Sequence, residues 1–229
     1  MAFVFPARPQ PAVAVSGQQT LFPVNRIYCV GKNYAAHIRE MGSEASRDSV
    51  CFFLKPADAI VTDGHMPYPP GTGNLHFEGE LVIAIGKGGA NIPAGEALQH
   101  VFGYAAGLDM TRRDLQLAAA KVGHPWDTGK AFDCSAPISP IVPVAECGHF
   151  HHGSLKLRVN GELRQDADFS DLIWKNHEVI SELSKLYTLQ AGDLIFTGTP
   201  AGVGPVVAGD RIELSIDRLC KLSVAITPP

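Results

Sequence analysis

The chain has 229 residues, 45% hydrophobic and 18% charged, with a net charge of −4 and a pI of about 6.1. That is enough apolar residue for one sizeable core, and the acidic balance leaves no basic stripe for nucleic acid. No apolar run approaches the ~18 residues that span a bilayer, and the first residues lack a charged segment followed by an apolar one. Both features read as a cytoplasmic protein with no membrane partner.

The cysteines (Cys29, Cys51, Cys134, Cys147, Cys220) are scattered with no metal-site spacing, and Cys29 and Cys51 fall inside apolar runs. They read as reduced thiols, the first two in the core. The 23 glycines and 17 prolines predict many turns and short strands.

Residues 1–23 are punctuated by prolines, with Val13 and Val15 alternating, and predict an extended arm or strand pair ahead of a single domain over 24–229. Residues 24–30 alternate and end at Gly31, as a strand does. Residues 32–42 predict a short helix stopped by Gly42. His37 and Glu40 are neighbours on such a helix. A carboxylate beside an imidazole fixes its tautomer and raises its basicity, which a general base needs. An ordinary surface pair is the competing reading. The polar stretch 43–49 that follows predicts a lid. Residues 50–54 form an apolar strand ending at Lys55, whose ammonium either reaches an anion or extends to water. Another short strand follows at 59–61, then a Pro/Gly loop at 67–73.

Residues 81–85 read as a buried strand closed by Gly86. Glu78 and Glu80, two apart along a strand, share a face. Two carboxylates at the mouth of a buried strand repel each other and lose hydration, and a hard divalent cation, Mg²⁺ or Ca²⁺, relieves both costs. Two acids facing water at a strand entry is the alternative.

Pro93 opens a predicted short helix over 92–101. A strand rich in small residues, 101–110, closes with a third acid, Asp109, just before a helix start. A carboxylate serving only that turn competes with a metal ligand there. Thr111 to Asp114 has the shape of a capping box, and the helix after it carries Leu115, Ala118, Ala119 and Val122 on one face as far as Gly123. Lys130 sits in a loop of aromatic and turn residues, 125–133. If partly buried beside a bound anion, it would hold a substrate oxygen. His149, His151 and His152 read as a surface loop cluster. Asn160-Gly161 predicts a hairpin turn, and 176–187 a helix. A strand at 193–196 leads into a Gly/Thr loop, 197–204, whose N–H groups and hydroxyls suit a substrate carboxylate. Strands at 211–216 and 219–226 end the chain.

Residues 26–37, 53–56, 76–81, 107–116, 125–126, 130–132, 159–165 and 193–204, in that order, resemble the fumarylacetoacetate hydrolase family. The stretches at 111–116 and 125–127 look closest to bacterial fumarylpyruvate hydrolases and acylpyruvases. The resemblance implies an α+β, β-rich fold, with mixed β-sheets rolled around the active site and a few short helices, working as a homodimer. It implies Mg²⁺, with Mn²⁺ or Ca²⁺ as substitutes, held by Glu78, Glu80 and Asp109. It makes His37 and Glu40 a catalytic dyad, with Lys130 stabilising developing charge and Gln116, Lys130, Thr199, Lys32 and Lys55 contacting substrate. The activity implied is hydrolysis of a carbon–carbon bond in a small diketo acid, fumarylpyruvate above all, in aromatic (gentisate) catabolism. Oxaloacetate decarboxylation, or isomerisation or hydration of a diacid, is the alternative, and a metal-binding protein without turnover is the alternative of another class. Phe77 and Lys32 depart from the family pattern, which commonly has His and Arg there.

Overall fold

The computed structural model describes residues 3–42, 44 and 46–229. Ser43, at the start of the expected lid, lies outside the described residues.

A mixed six-stranded sheet carries the site. Its order is Val142–Pro143, Val101–Leu108, Gly79–Ile85, Leu194–Phe196, Ile27–Gly31 and Cys51–Lys55. Only the pair Leu194–Phe196 and Ile27–Gly31 is parallel. Gly79–Ile85 is buried at every position, as a continuous apolar run with both faces covered must be. On one face Leu81, Ile83 and Ile85 join Leu155, Leu157, Ile212 and Leu214 of the second sheet. That sheet runs Glu162–Asp168, Ser154–Val159, Arg211–Ile216, Leu222–Thr227 and His65–Pro67. Each such aliphatic side chain contributes roughly 1.5–3 kcal/mol on burial. On the other face Val82 and Ala84 meet Val13, Val15, Phe22 and Ile141. The expected N-terminal strand pair therefore exists, Ala12–Ala14 against Leu21–Pro23, and it covers the sheet.

The small residues of Val101–Leu108 have a steric reason. Gly107 pairs with Glu80, and a Cβ there would meet Val82 Cγ2 at 2.5 Å and Phe196 Cε1 at 2.6 Å. The hairpin also forms as expected, with Asn160 at φ 51° and Gly161 at φ 84°, the two positive values that a two-residue turn of this twist requires. The helix expected at 176–187 is Asn176–Leu186.

Three expectations change. The helix over 92–101 shrinks to the tight turn Ala97–His100, because the bonds after Pro93 are of the three-residue kind. The strand does not run through Glu78. Leu75–Phe77 belongs to a small sheet with Thr111–Arg112 and Gly204–Val206, and Glu78 is the link between it and Gly79–Ile85. The capping box is absent as well. Thr111 lies in a strand opposite His76 and no side chain caps the helix Arg113–Lys121. The buried residues of that helix are Arg113 and Gln116, while Leu117 and Val122 are exposed.

Candidate active site

Glu78, Glu80 and Asp109 converge where three strand ends meet. All three are buried, and each offers a carboxylate oxygen within 4.8 Å of the others. Glu80 opens Gly79–Ile85, Asp109 follows Val101–Leu108, and Asp109 N donates to Glu78 O at 2.9 Å, which ties the link to the strand end.

Three buried acids in one place require cations. Lys130 Nζ lies 2.7 Å from Glu78 Oε2 and 2.6 Å from Asp109 Oδ2, and donates to Thr111 Oγ1 at 2.8 Å. Arg113 Nη2 reaches Glu78 Oε1 at 2.5 Å. Lys55 Nζ is 2.8 Å from Asp109 Oδ1 and donates to Met110 O and Lys130 O. So Lys55 does reach an anion, at 2% exposure, and it is not among the residues lining the cavity described below. Burial works against the charged form of Glu78, yet Lys130 and Arg113 outweigh it and hold its carboxyl well below the usual range. Burial also opposes the Lys130 ammonium, and Asp109 and Glu78 more than offset that, so its pKa rises.

Glu80 differs. Among the described residues it accepts one hydrogen bond, from Gly198 N at 2.7 Å, and pairs with no cation of its own. Burial beside Asp109 and Glu78 pushes its carboxyl well above the usual range. Asp109 Oδ1, although near Lys55, accepts no aligned hydrogen bond. A buried, oxygen-only cluster with one acid short of a cation and one oxygen short of a donor fits a hard divalent ion held by Glu78, Glu80 and Asp109.

The cluster forms the floor of a cavity of about 390 Å³. His37, Gln116, Lys130, Thr199 and Lys32, all expected at the site from sequence, line it. His37 Nδ1 lies 3.0 Å from Glu40 Oε2 on the short helix Ala35–Glu40. The other carboxylate oxygen of Glu40 accepts from Gly202 N at 3.0 Å, so the Gly/Thr loop fixes the pair. Thr199 donates its hydroxyl to Gly79 O and accepts from Gln165 Nε2. Several lining residues escaped the sequence reading as site groups, among them Arg113, disguised by the false capping box, Leu117 and Lys121. Spacing held the clue to the first, since Arg113 and Gln116 are three apart on one helix face, and Arg113 Nη1 donates to Gln116 Oε1 at 2.5 Å. His149, by contrast, pairs with Tyr104 Oη at 2.9 Å, away from the floor.

With this geometry in hand, comparison with known proteins is informative. A model of the fumarylacetoacetate hydrolase C-terminal region matches residues 26–227. A fumarylpyruvate hydrolase of a Ralstonia species is 45% identical over 186 residues, 81% of this chain and 96% of that one. A human mitochondrial oxaloacetate tautomerase is 44% identical over 204 residues, 89% of this chain and 92% of that one. The crystal structure of a fumarylpyruvate hydrolase from Pseudomonas aeruginosa in complex with Mn²⁺ and pyruvate superposes with a TM-score of 0.97 at 49% identity, covering 100% of both chains.

Proposed function

The chain belongs to the fumarylacetoacetate hydrolase family, and from that premise we propose that it hydrolyses an acylpyruvate, fumarylpyruvate above all, to fumarate and pyruvate. One observation carries the reading: the buried acidic cluster and His37, which is paired with Glu40, open onto the same cavity.

A divalent ion held by Glu78, Glu80 and Asp109 supplies, when bound, a Lewis acid for the pyruvyl oxygens and a counter-charge for the pyruvate enolate. The chain's own residues do the rest. Glu40 accepts the Nδ1 proton of His37, which leaves Nε2 free to take a proton from water. The hydroxide adds to the carbonyl carbon of the acyl group. The bond between that carbon and C3 of the pyruvyl unit breaks, its electron pair passes to C3, and His37 returns the proton there. Water is consumed, and the two acids leave. Gln116, Thr199 and Arg113 line the space for the substrate oxygens. Lys130, held between Glu78 and Asp109, adds positive charge beside the developing enolate.

The test is the loss of fumarylpyruvate's diketone absorbance with pyruvate appearing. EDTA should stop it, and Mg²⁺ or Mn²⁺ should restore it. Loss that EDTA leaves untouched removes the acidic cluster from the mechanism.

The likeness to the human tautomerase favours a second reading, in which His37 moves a proton at C3 of oxaloacetate and no water attacks. Interconversion of the oxaloacetate keto and enol forms without turnover of fumarylpyruvate would select it. The proposal also takes a homodimer as the working unit. Light scattering should then give twice the 24.5 kDa of one chain.

A further inference from the structure

Charge at the two ends of the cavity is balanced differently. At the floor, Glu78, Glu80 and Asp109 are matched in number by Lys55, Arg113 and Lys130. A divalent ion held there would be offset in charge by the carboxylate and enolate of a pyruvyl unit, so the floor would stay near neutrality. Two further cations line the same cavity, Lys32 and Lys121, and both are exposed. Among the described residues neither is paired with a carboxylate. Among the described residues, the acids of the lining are the three at the floor.

One helix links the two ends. Arg113–Lys121 carries Arg113 to Glu78 at its first residue and Lys121 at its last, with Leu117 and Ala120 between them in the cavity wall. Positions 113, 117 and 121 follow one face at four-residue spacing. Eight residues advance about 12 Å along the axis, the scale of an extended seven-carbon diacid plus the reach of a lysine. Phe53 and Trp126 also line the cavity, with their ring centres 5.8 Å apart. They offer flat faces to a conjugated acyl chain. Lys32 follows Gly31 with φ at 59°, a left-handed conformation that a lysine rarely adopts.

We propose that Lys121, together with Lys32, binds the distal carboxylate of the acyl group, so that the site selects acylpyruvates ending in a second carboxylate over those ending in a methyl. This rests on the hydrolase reading above. A lysine in the last turn of a helix also complements the helix dipole, but that role alters stability alone and cannot distinguish one substrate from another.

The experiment is kcat/KM for fumarylpyruvate and for acetylpyruvate, measured on the metal-loaded wild type, Lys121→Gln, Lys32→Gln and the double variant. The ratio of the two constants should fall roughly five- to tenfold in the double variant, mainly through KM for fumarylpyruvate, as two solvent-facing charge contacts supply. Raising the salt should erode the wild-type ratio in the same direction. A wild type active on both substrates, with a ratio that neither the variants nor salt shift, overturns this assignment alone. A wild type inert on both overturns the hydrolase reading and takes this one with it.

Discussion

At the floor of the cavity and just beneath it Glu78, Glu80, Asp109, Lys55 and Lys130 are 4% exposed or less, whereas towards the mouth Lys32, Lys121 and Glu40, the partner of His37, face water. The floor is assembled from distant strand ends, and its charges are held at fixed distances by one another. The mouth draws on the short helix Ala35–Glu40, the Gly/Thr loop and the last residue of the helix Arg113–Lys121, and its pairs are neighbours in sequence or single contacts. A buried ion pair is costly to break because the partner left behind is stranded without water. An exposed pair contributes about 0–1 kcal/mol and still decides where a proton or a substrate group sits. Changes at the floor should therefore register in stability and metal affinity, and changes at the mouth in rate.

The largest effect on stability should follow Lys130→Met. Glu78 and Asp109 then share one ammonium fewer, at a cost of about 3 kcal/mol. That is the low end for breaking a buried pair, because Arg113 and Lys55 stay in place. Urea unfolding measures it, and Mn²⁺ should recover part of the loss by supplying the missing cation. A variant as stable as the wild type without metal would mean that the floor is not held by its charges.

Glu80→Gln should separate metal affinity from stability. Mn²⁺ binding by calorimetry is expected to weaken on the order of 100-fold. The metal-free protein should lose nothing, since Glu80 is the acid with no cation of its own. Its carboxyl is raised by burial, Asp109 and Glu78. A group whose folded pKa lies above its unfolded value stabilises fully below the unfolded value, near 4.5, and progressively less as pH rises. The Glu80 contribution to the stability of the metal-free wild type should thus fall with increasing pH above about 4.5, and the slope of Glu80→Gln should differ from the wild type's by that contribution. Parallel slopes would remove the strain from Glu80.

The mouth should behave in the opposite way. His37→Ala is expected to lower turnover 10²–10⁴-fold, with Mn²⁺ affinity unchanged and stability within about 1 kcal/mol. Gly202→Ala reaches the same pair indirectly. Gly202 has φ of 95°, and a Cβ there would lie 2.0 Å from Arg164 O, so the loop must move and Gly202 N leaves Glu40. Turnover should drop by less than in His37→Ala. Intact turnover in Gly202→Ala would show that Glu40 needs no second anchor.

The same contrast governs how much could be read from sequence. The His37–Glu40 spacing, the Glu78/Glu80 doublet and the strand 81–85 are local patterns, and all can be located without coordinates. The partnership of Lys130 with Asp109, and of Lys55 with the same acid, joins segments 21 and 54 residues apart in the chain (130 less 109; 109 less 55). No periodicity encodes that. Arg113 was misread because Thr111 and Asp114 imitate a cap. In the fold the Thr111 hydroxyl donates to Asp109 O and accepts from Lys130, and Asp114 instead accepts from Thr72 and Gly73. The apolar residues of that helix suggested its buried face, yet the floor's carboxylates draw in Arg113 and its neighbour Gln116. Electrostatic demand from the site outweighed the hydrophobic pattern over two turns.

The smallest effect tests whether the far end of the expected lid belongs to the mouth. Arg47 lies on the chain beyond the His37–Glu40 turn. Its guanidinium stacks 4.7 Å from the centre of the Trp174 ring, donates through Nε to Ile173 O at 3.2 Å, and pairs with Glu178 Oε1 at 2.5 Å. Trp174 N in turn donates to Asn33 Oδ1 at 2.7 Å, just ahead of the helix that bears His37. The side chain is half exposed, so the ion pair and the stacking together contribute about 1 kcal/mol at most. Arg47→Ala should therefore leave urea unfolding within that margin. If the anchor steadies the dyad, kcat/KM falls several-fold, and Arg47→Lys, which keeps the charge without the planar stack, restores only part of it. Equal rates in all three proteins would confine the mouth to the helix Ala35–Glu40 and the Gly202 contact, and would leave the segment beyond Gly42 without influence on His37.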